Sequence, residues 1–176
     1  MKQLGLVCCV RMKKYHSYKG EVGKIAPNLL NRDFYAQKPN EKWVTDVTEF
    51  SLFGKKLYLS PILDLHSSYL VSYTISERPV LSMVTSMLEK AFVNIPDNTN
   101  LILHSDQGWQ YQHKQYQRML HNKGIRQSMS RKGNCIDNSV MENFFGILKS
   151  ELLYLQKFES MEQFKQELVD YLDYYN

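Results

Sequence analysis

The chain has 176 residues, 43% hydrophobic and 23% charged, with a formal net charge of +4, and reads as a globular, soluble protein of one compact domain plus an appendage. No apolar run approaches the roughly 18 to 20 residues of a membrane span, and "LGLVCCV" near the start is too short for a secretory signal, so the chain is expected in the cytoplasm. Cys8, Cys9 and Cys135 match neither a disulfide framework nor a zinc spacing and read as reduced thiols.

The first 24 residues carry six basic side chains, Lys13 and Lys14 among them, against Glu21 alone. Lysines release counterions from phosphates and aromatics stack on bases, so "RMKKYHSYKG" suits a polyanion; it suits a solvated linker equally. Residues 20–42 mix prolines, glycines and Asn/Asp without periodicity and read as a connector. The chain thus divides into a basic arm and linker over 1–42 and a core over 43–176.

From Trp43 the pattern changes. "WVTDVTEF", "KKLYLSPILD" and "SYLVSYTIS" are rich in β-branched and aromatic residues, separated by turn-like stretches, and predict three strands of an antiparallel meander. "VLSMVTSMLEKAFVNI" sets Val80, Val84, Met87, Leu88, Ala91 and Phe92 at helical spacing, with Pro79 suited to the first turn. "LILHSD" reads as a buried strand, residues 111–122 as a helix ending before Gly124, and "GIRQSMS" as a fifth strand. After the loop "SRKGN" comes an amphipathic helix with Val140, Met141, Phe144, Phe145, Leu148 and Leu152 on its apolar side. The last helix starts at Ser160, whose capping-box partner is Gln163. This order predicts an α/β protein: a five-stranded mixed sheet, three antiparallel strands then two parallel, flanked by helices. Such sheets hold ligands at the carboxyl ends of their strands.

Two carboxylates stand where apolar residues belong. Asp46 interrupts the first strand and Asp106 closes the fourth, and a buried carboxylate costs several kcal/mol unless it is paired, hydrogen-bonded or metal-bound. Taken singly, each also fits a satisfied polar residue or the cap of a turn. The first crossover sets strand four beside strand one, and the helix N-terminus that bears Glu142 can bring a third carboxylate to their common end. Three converging anions call for a cation, and all-oxygen ligation favours Mg²⁺ or Mn²⁺. Such a centre suits in-line phosphodiester displacement, the chemistry of a nuclease or polynucleotidyl transferase.

The blocks "WVTDVTEF", "LHSDQGWQY" and "SMSRKGNCIDNSVMENFFGILKSE", in this order, resemble the catalytic core of bacterial insertion-sequence transposases of the orfB type, which share the retroviral-integrase catalytic domain. The spacing agrees: 59 residues separate Asp46 from Asp106 and 35 separate Asp106 from Glu142, the final interval for which that family is known. The resemblance runs from about Trp43 to the end and more weakly through the arm. It implies an RNase H-like fold in which Asp46, Asp106 and Glu142 hold two Mg²⁺ (or Mn²⁺) ions, cleave at the ends of a mobile element and join the freed 3′-hydroxyl to target DNA. It also implies at least a homodimer on DNA and a nucleoid-associated location. Lys149 matches a basic position of the family; seven residues after Glu142, it comes within roughly 20° of the same helix face.

Around these positions, Arg131 and Lys132 fit a phosphate-gripping loop hinged at Gly133, and Asn134 and Asn138 fix the turn or cap the helix. Asp137, the main rival to Glu142, is read as an N-terminal cap. His104, Ser105 and Gln107 orient Asp106 or contact phosphate, while His104 fits a packed core position equally well. Asp64 and Glu49 are assigned to turns and edges. Three departures qualify the resemblance. "MKQLGL" looks like the tail of a missing helix-turn-helix reader, relatives continue past "DYYN" with an Arg and a His, and Ser68 stands where they carry arginine. The alternatives are a truncated remnant that binds DNA or transposase without catalysis, and another RNase H-like nuclease.

Overall fold

The computed structural model describes residues 23–176; Lys13, Lys14 and most of the basic arm lie outside the described residues. The architecture is a mixed sheet with helices on both faces. Its strands are β1 (Lys42–Thr45), β2 (Thr48–Leu52), β3 (Lys55–Asp64), β4 (Leu70–Ser76), β5 (Ile102–Ser105) and β6 (Arg126–Met129). β1, β2 and β4 run antiparallel to β3, and β5 and β6 continue parallel to β1. The expected meander followed by two parallel strands is therefore present.

The five expected strands become six because "WVTDVTEF" is divided. Thr45 lies opposite Ile62 and Thr48 opposite Leu59, so β1 and β2 share one register along β3 and no residue is inserted between them. Asp46 falls opposite Pro61, which has no N–H to give the ladder. The interruption is thus chemical rather than geometric. β2 and β3 are joined by Phe53 and Gly54, both at positive φ (53° and 70°), the geometry of a two-residue hairpin turn.

Alternation along the strands separates two cores. Val44, Phe50, Leu57, Leu59 and Leu63 pack with α4 (Ser139–Leu148) and α5 (Met161–Tyr175). Trp43, Ile62 and Leu103 pack on the other face with α1 (Leu81–Phe92) and α3 (Lys114–Lys123). The helix expected over 111–122 is split: α2 (Trp109–Gln112) stops at His113, whose extended backbone and ring Nδ1, accepting from the Gln115 N–H, begin α3. Helix α1 begins at Leu81, so Pro79 precedes its cap instead of entering its first turn. At α5 the Ser160 hydroxyl accepts from the Gln163 N–H at 3.1 Å as expected, while the Gln163 side chain accepts from Glu159, one residue further back.

The segment before β1 is packed rather than merely connecting. Leu30 and Ala36 are buried, the Met129 N–H donates to Pro27 O, and Lys42 Nζ donates to Asp33 Oδ2 (2.8 Å) and to the Asp33 and Tyr35 carbonyls. Residues 27–30 therefore cover the edge that β6 would otherwise expose. Among the described residues, no helix is long and apolar enough to cross a membrane.

Candidate active site

Val44 pairs with His104 in the parallel β1–β5 ladder. Carried two residues further, that register sets Asp46 beside Asp106, on the face that α4 covers. Each carboxylate is fixed by the backbone next to it. The Val47 N–H, at the break opposite Ser60 and Pro61, donates to Asp46 Oδ1 at 2.7 Å, and the Gly108 N–H donates to Asp106 Oδ1 at 2.8 Å. Gly108 suits this turn because an added Cβ would sit 2.9 Å from the same Oδ1.

Glu142 enters from α4, whose Met141, Phe144, Phe145 and Leu148 are buried and hold the helix on the sheet while Glu142 stays exposed. Electrostatics tie the three acids together. Burial pushes the Asp46 carboxyl well above its usual range, and the charges of Asp106 and Glu142 push it further; the Val47 N–H and Lys149 act in the opposite sense. Burial also raises Asp106, against the Gly108 hydrogen bond, and raises Glu142. Asp46, Glu142 and Lys149 line one groove of about 690 Å³, with Thr48, Gly146, Ile147 and Tyr154 among its other walls. Lys149 Nζ lies 5.7 Å from the centre of the Phe50 ring. Among the described residues, no three His, Cys, Asp or Glu side chains already form a metal cage. The donor set is nonetheless all carboxylate oxygen and mutually repulsive, the chemistry that hard divalent cations take.

After Leu148 the helix continues as a π turn over Lys149–Leu153, in which the Tyr154 N–H donates to Lys149 O at 2.9 Å. Nothing in the spacing of the sequence signals this widening.

The Asp137 side chain does not cap α4. Its fully buried carboxylate accepts from Arg131 Nε and Nη2 (both 2.9 Å), the Arg131 N–H (3.0 Å), Arg32 Nε (2.8 Å) and Asn28 Nδ2 (3.0 Å). The Arg131 hydrogen bond leads the causes that hold it well below the ordinary carboxylate range. Arg131 is therefore engaged by Asp137, whereas Lys132 is exposed beside Gly133, whose φ is 74°. Asn138 donates to Thr45 O and makes no side-chain cap to α4. Arg32 and Asn28 escaped the sequence reading because their partner lies more than a hundred residues away.

His104 is a core residue. Ser128 Oγ already accepts from the Leu29 and Leu30 N–H groups, so its own proton goes to His104 Nδ1 (2.8 Å), which leaves Nε2–H to donate to Ser130 Oγ (3.1 Å). Burial lowers its pKa to about 4, so the ring is neutral at pH 7. Gln107 donates to Ser130 O and braces the same strand end. Asp64 binds the Asn40 and His66 N–H groups at a turn, and Glu49 pairs with Lys56 on the edge strand β2, both as expected.

A family model described as integrase core domain matches residues 36–135, and a second of the same description matches residues 142–176. The putative transposase InsK for insertion sequence element IS150 of Escherichia coli (strain K12) is 54% identical over 176 residues, covering 100% of this chain and 62% of that protein. An uncharacterized transposase-like protein of Haemophilus influenzae is 51% identical, covering 100% of this chain and 81% of that protein. The chain thus spans less than two thirds of the first of these relatives. Among solved structures, a chain of the simian T-cell lymphotropic virus intasome with PP2A regulatory subunit B56 gamma matches with a TM-score of 0.60 at 23% identity, over 86% of this chain and 52% of that one. The HTLV-2 integrase catalytic core domain in complex with magnesium matches with a TM-score of 0.54 at 17% identity, over 76% and 86%. These likenesses carry the fold, that of the retroviral integrase core, which is RNase H-like.

Proposed function

The chain belongs to the integrase core domain family, among relatives named as insertion-sequence transposases, and from that premise we propose that it is a transposase catalytic core. Its reaction is cleavage of DNA phosphodiesters at the ends of a mobile element and transfer of the freed 3′-hydroxyl to target DNA. The observation that supports this reading is the convergence on Asp46 of Asp106 and Glu142, whose charges both oppose its ionisation.

Asp46, Asp106 and Glu142 would hold Mg²⁺ or Mn²⁺, two ions per site. When bound, such ions polarise the phosphate and stabilise the attacking and leaving oxygens. The chain's own residues do the rest. Neighbouring parallel strands fix the two aspartates, while Glu142, on a helix anchored by four buried apolar residues, approaches from above the sheet. Lys149, which lines the same groove, would meet a phosphate next to the scissile one. Lys132, from the loop before α4, and Lys13 and Lys14, from the arm, supply sequence-neutral contacts to the duplex, with at least two copies assembled on DNA.

Labelled element ends incubated with the chain and Mg²⁺ should be nicked and joined, and Asp106→Asn should lower the rate by several orders of magnitude without lowering the thermal midpoint. Equal activity in the variant would overturn the assignment. Simple hydrolysis of RNA or branched DNA without joining would point to a different RNase H-like nuclease.

A further inference from the structure

Tyr154 is an aromatic wall of the groove to which the transposase reading gives no task. The residue is 49% exposed and lies on the same groove as Asp46, Glu142, Ile147 and Lys149. Its position depends on the π turn. Twelve residues after Glu142, an uninterrupted α-helix would turn Tyr154 about 120° away from that face. A π turn amounts to one inserted residue, a phase reset of about 100°, and so returns Tyr154 to within about 20° of Glu142. Leu152, within the same π turn, is buried in the core. Between Tyr154 and the acids, Gly146 leaves open space, since a Cβ there would meet nothing within 4 Å.

We propose that Tyr154 is a base-stacking subsite of the active-site groove, taking the unpaired base next to the scissile phosphate. The proposal rests on the transposase reading. An exposed aromatic ring offers one flat face, and within a duplex both faces of a base are already stacked. The base that fits is therefore a terminal one, frayed out of the helix, whose phosphate lies by Lys149 and the acids. Stacking is indifferent to sequence because every base has a π face, so the subsite would hold strand ends without reading them.

The test compares binding to two short duplexes that are identical except that the nucleotide beside the scissile phosphate is either intact or abasic, in Ca²⁺ to prevent turnover. The unsubstituted chain should bind the intact end about tenfold more tightly, Tyr154→Ala should abolish the difference, and Tyr154→Phe should retain it. Equal weakening of both duplexes by Tyr154→Ala, or no weakening of either, would overturn the subsite. Cleavage in Mg²⁺, measured in parallel with Asp106→Asn as the control, separates the two levels. If cleavage is intact and Asp106-dependent but indifferent to the abasic site, only the stacking proposal fails. If the unsubstituted chain does not cleave at all, the transposase reading fails and the subsite with it.

Discussion

Three buried or half-buried aspartates in this chain meet opposite fates, decided by what surrounds each carboxylate. Asp137 is encircled by donors from Asn28, Arg32 and Arg131, and its charged form is strongly favoured. Asp46 and Asp106 each receive one backbone N–H, but burial disfavours their charged forms, and at Asp46 the charges of Asp106 and Glu142 add to it. The two situations have opposite linkage. A group whose folded pKa is lowered contributes stability that is present above its unfolded value, here 3.8, and is lost as pH falls from there toward the folded pKa. Asp137→Asn should therefore lower unfolding stability at pH 7 by about 2–3 kcal/mol, the scale of a charge-assisted hydrogen-bond network, and should flatten the acid limb of the stability profile below pH 4. Chemical denaturation across pH reads both effects; an unchanged acid limb would show that the clamp does not hold the loop. The carboxylates of the acid cluster run the other way, weakening the metal-free fold as they ionise, a cost that proteins commonly accept at functional sites.

At the scale of elements, regular structure is interrupted at several points, two of them beside the candidate site. The strand that bears Asp46 breaks opposite Pro61, the helix after β5 splits at His113, and the helix that bears Glu142 widens at Lys149. The sequence made the strands, the main helices and the acid positions legible, because alternation, helical periodicity and out-of-place charges are local signals. The π turn was not legible, since Leu148 and Leu152 stand at ordinary α-helical spacing. Nor was the engagement of Arg131 by Asp137, whose further partners Asn28 and Arg32 come from across the chain. Glycine was readable as punctuation but not in its severity. Gly124 closes α3 at φ 74°, and a Cβ there would meet the Asn98 backbone at 2.6 Å, whereas Gly54 at φ 70° has nothing within 4 Å. Gly124→Ala should therefore destabilise the fold by about 2–3 kcal/mol and Gly54→Ala by about 1 kcal/mol, as read by thermal unfolding. Equal losses would mean that only the backbone angle matters.

For the molecule as a whole, the segment ahead of the sheet is bound into the site's support. Residues 27–30 cover the β6 edge, the Leu29 and Leu30 N–H groups engage the Ser128 hydroxyl that hydrogen-bonds His104, and Arg32 joins the Asp137 clamp that holds the loop before α4. The three carboxylates are the point on which all of this support converges. Soaking crystals of the chain with Mn²⁺ and recording anomalous scattering tests their role most directly. The predicted result is Mn²⁺ in contact with Asp46, Asp106 and Glu142 together, lost on Asp106→Asn; Mn²⁺ bound only elsewhere, or bound equally in the variant, would contradict it.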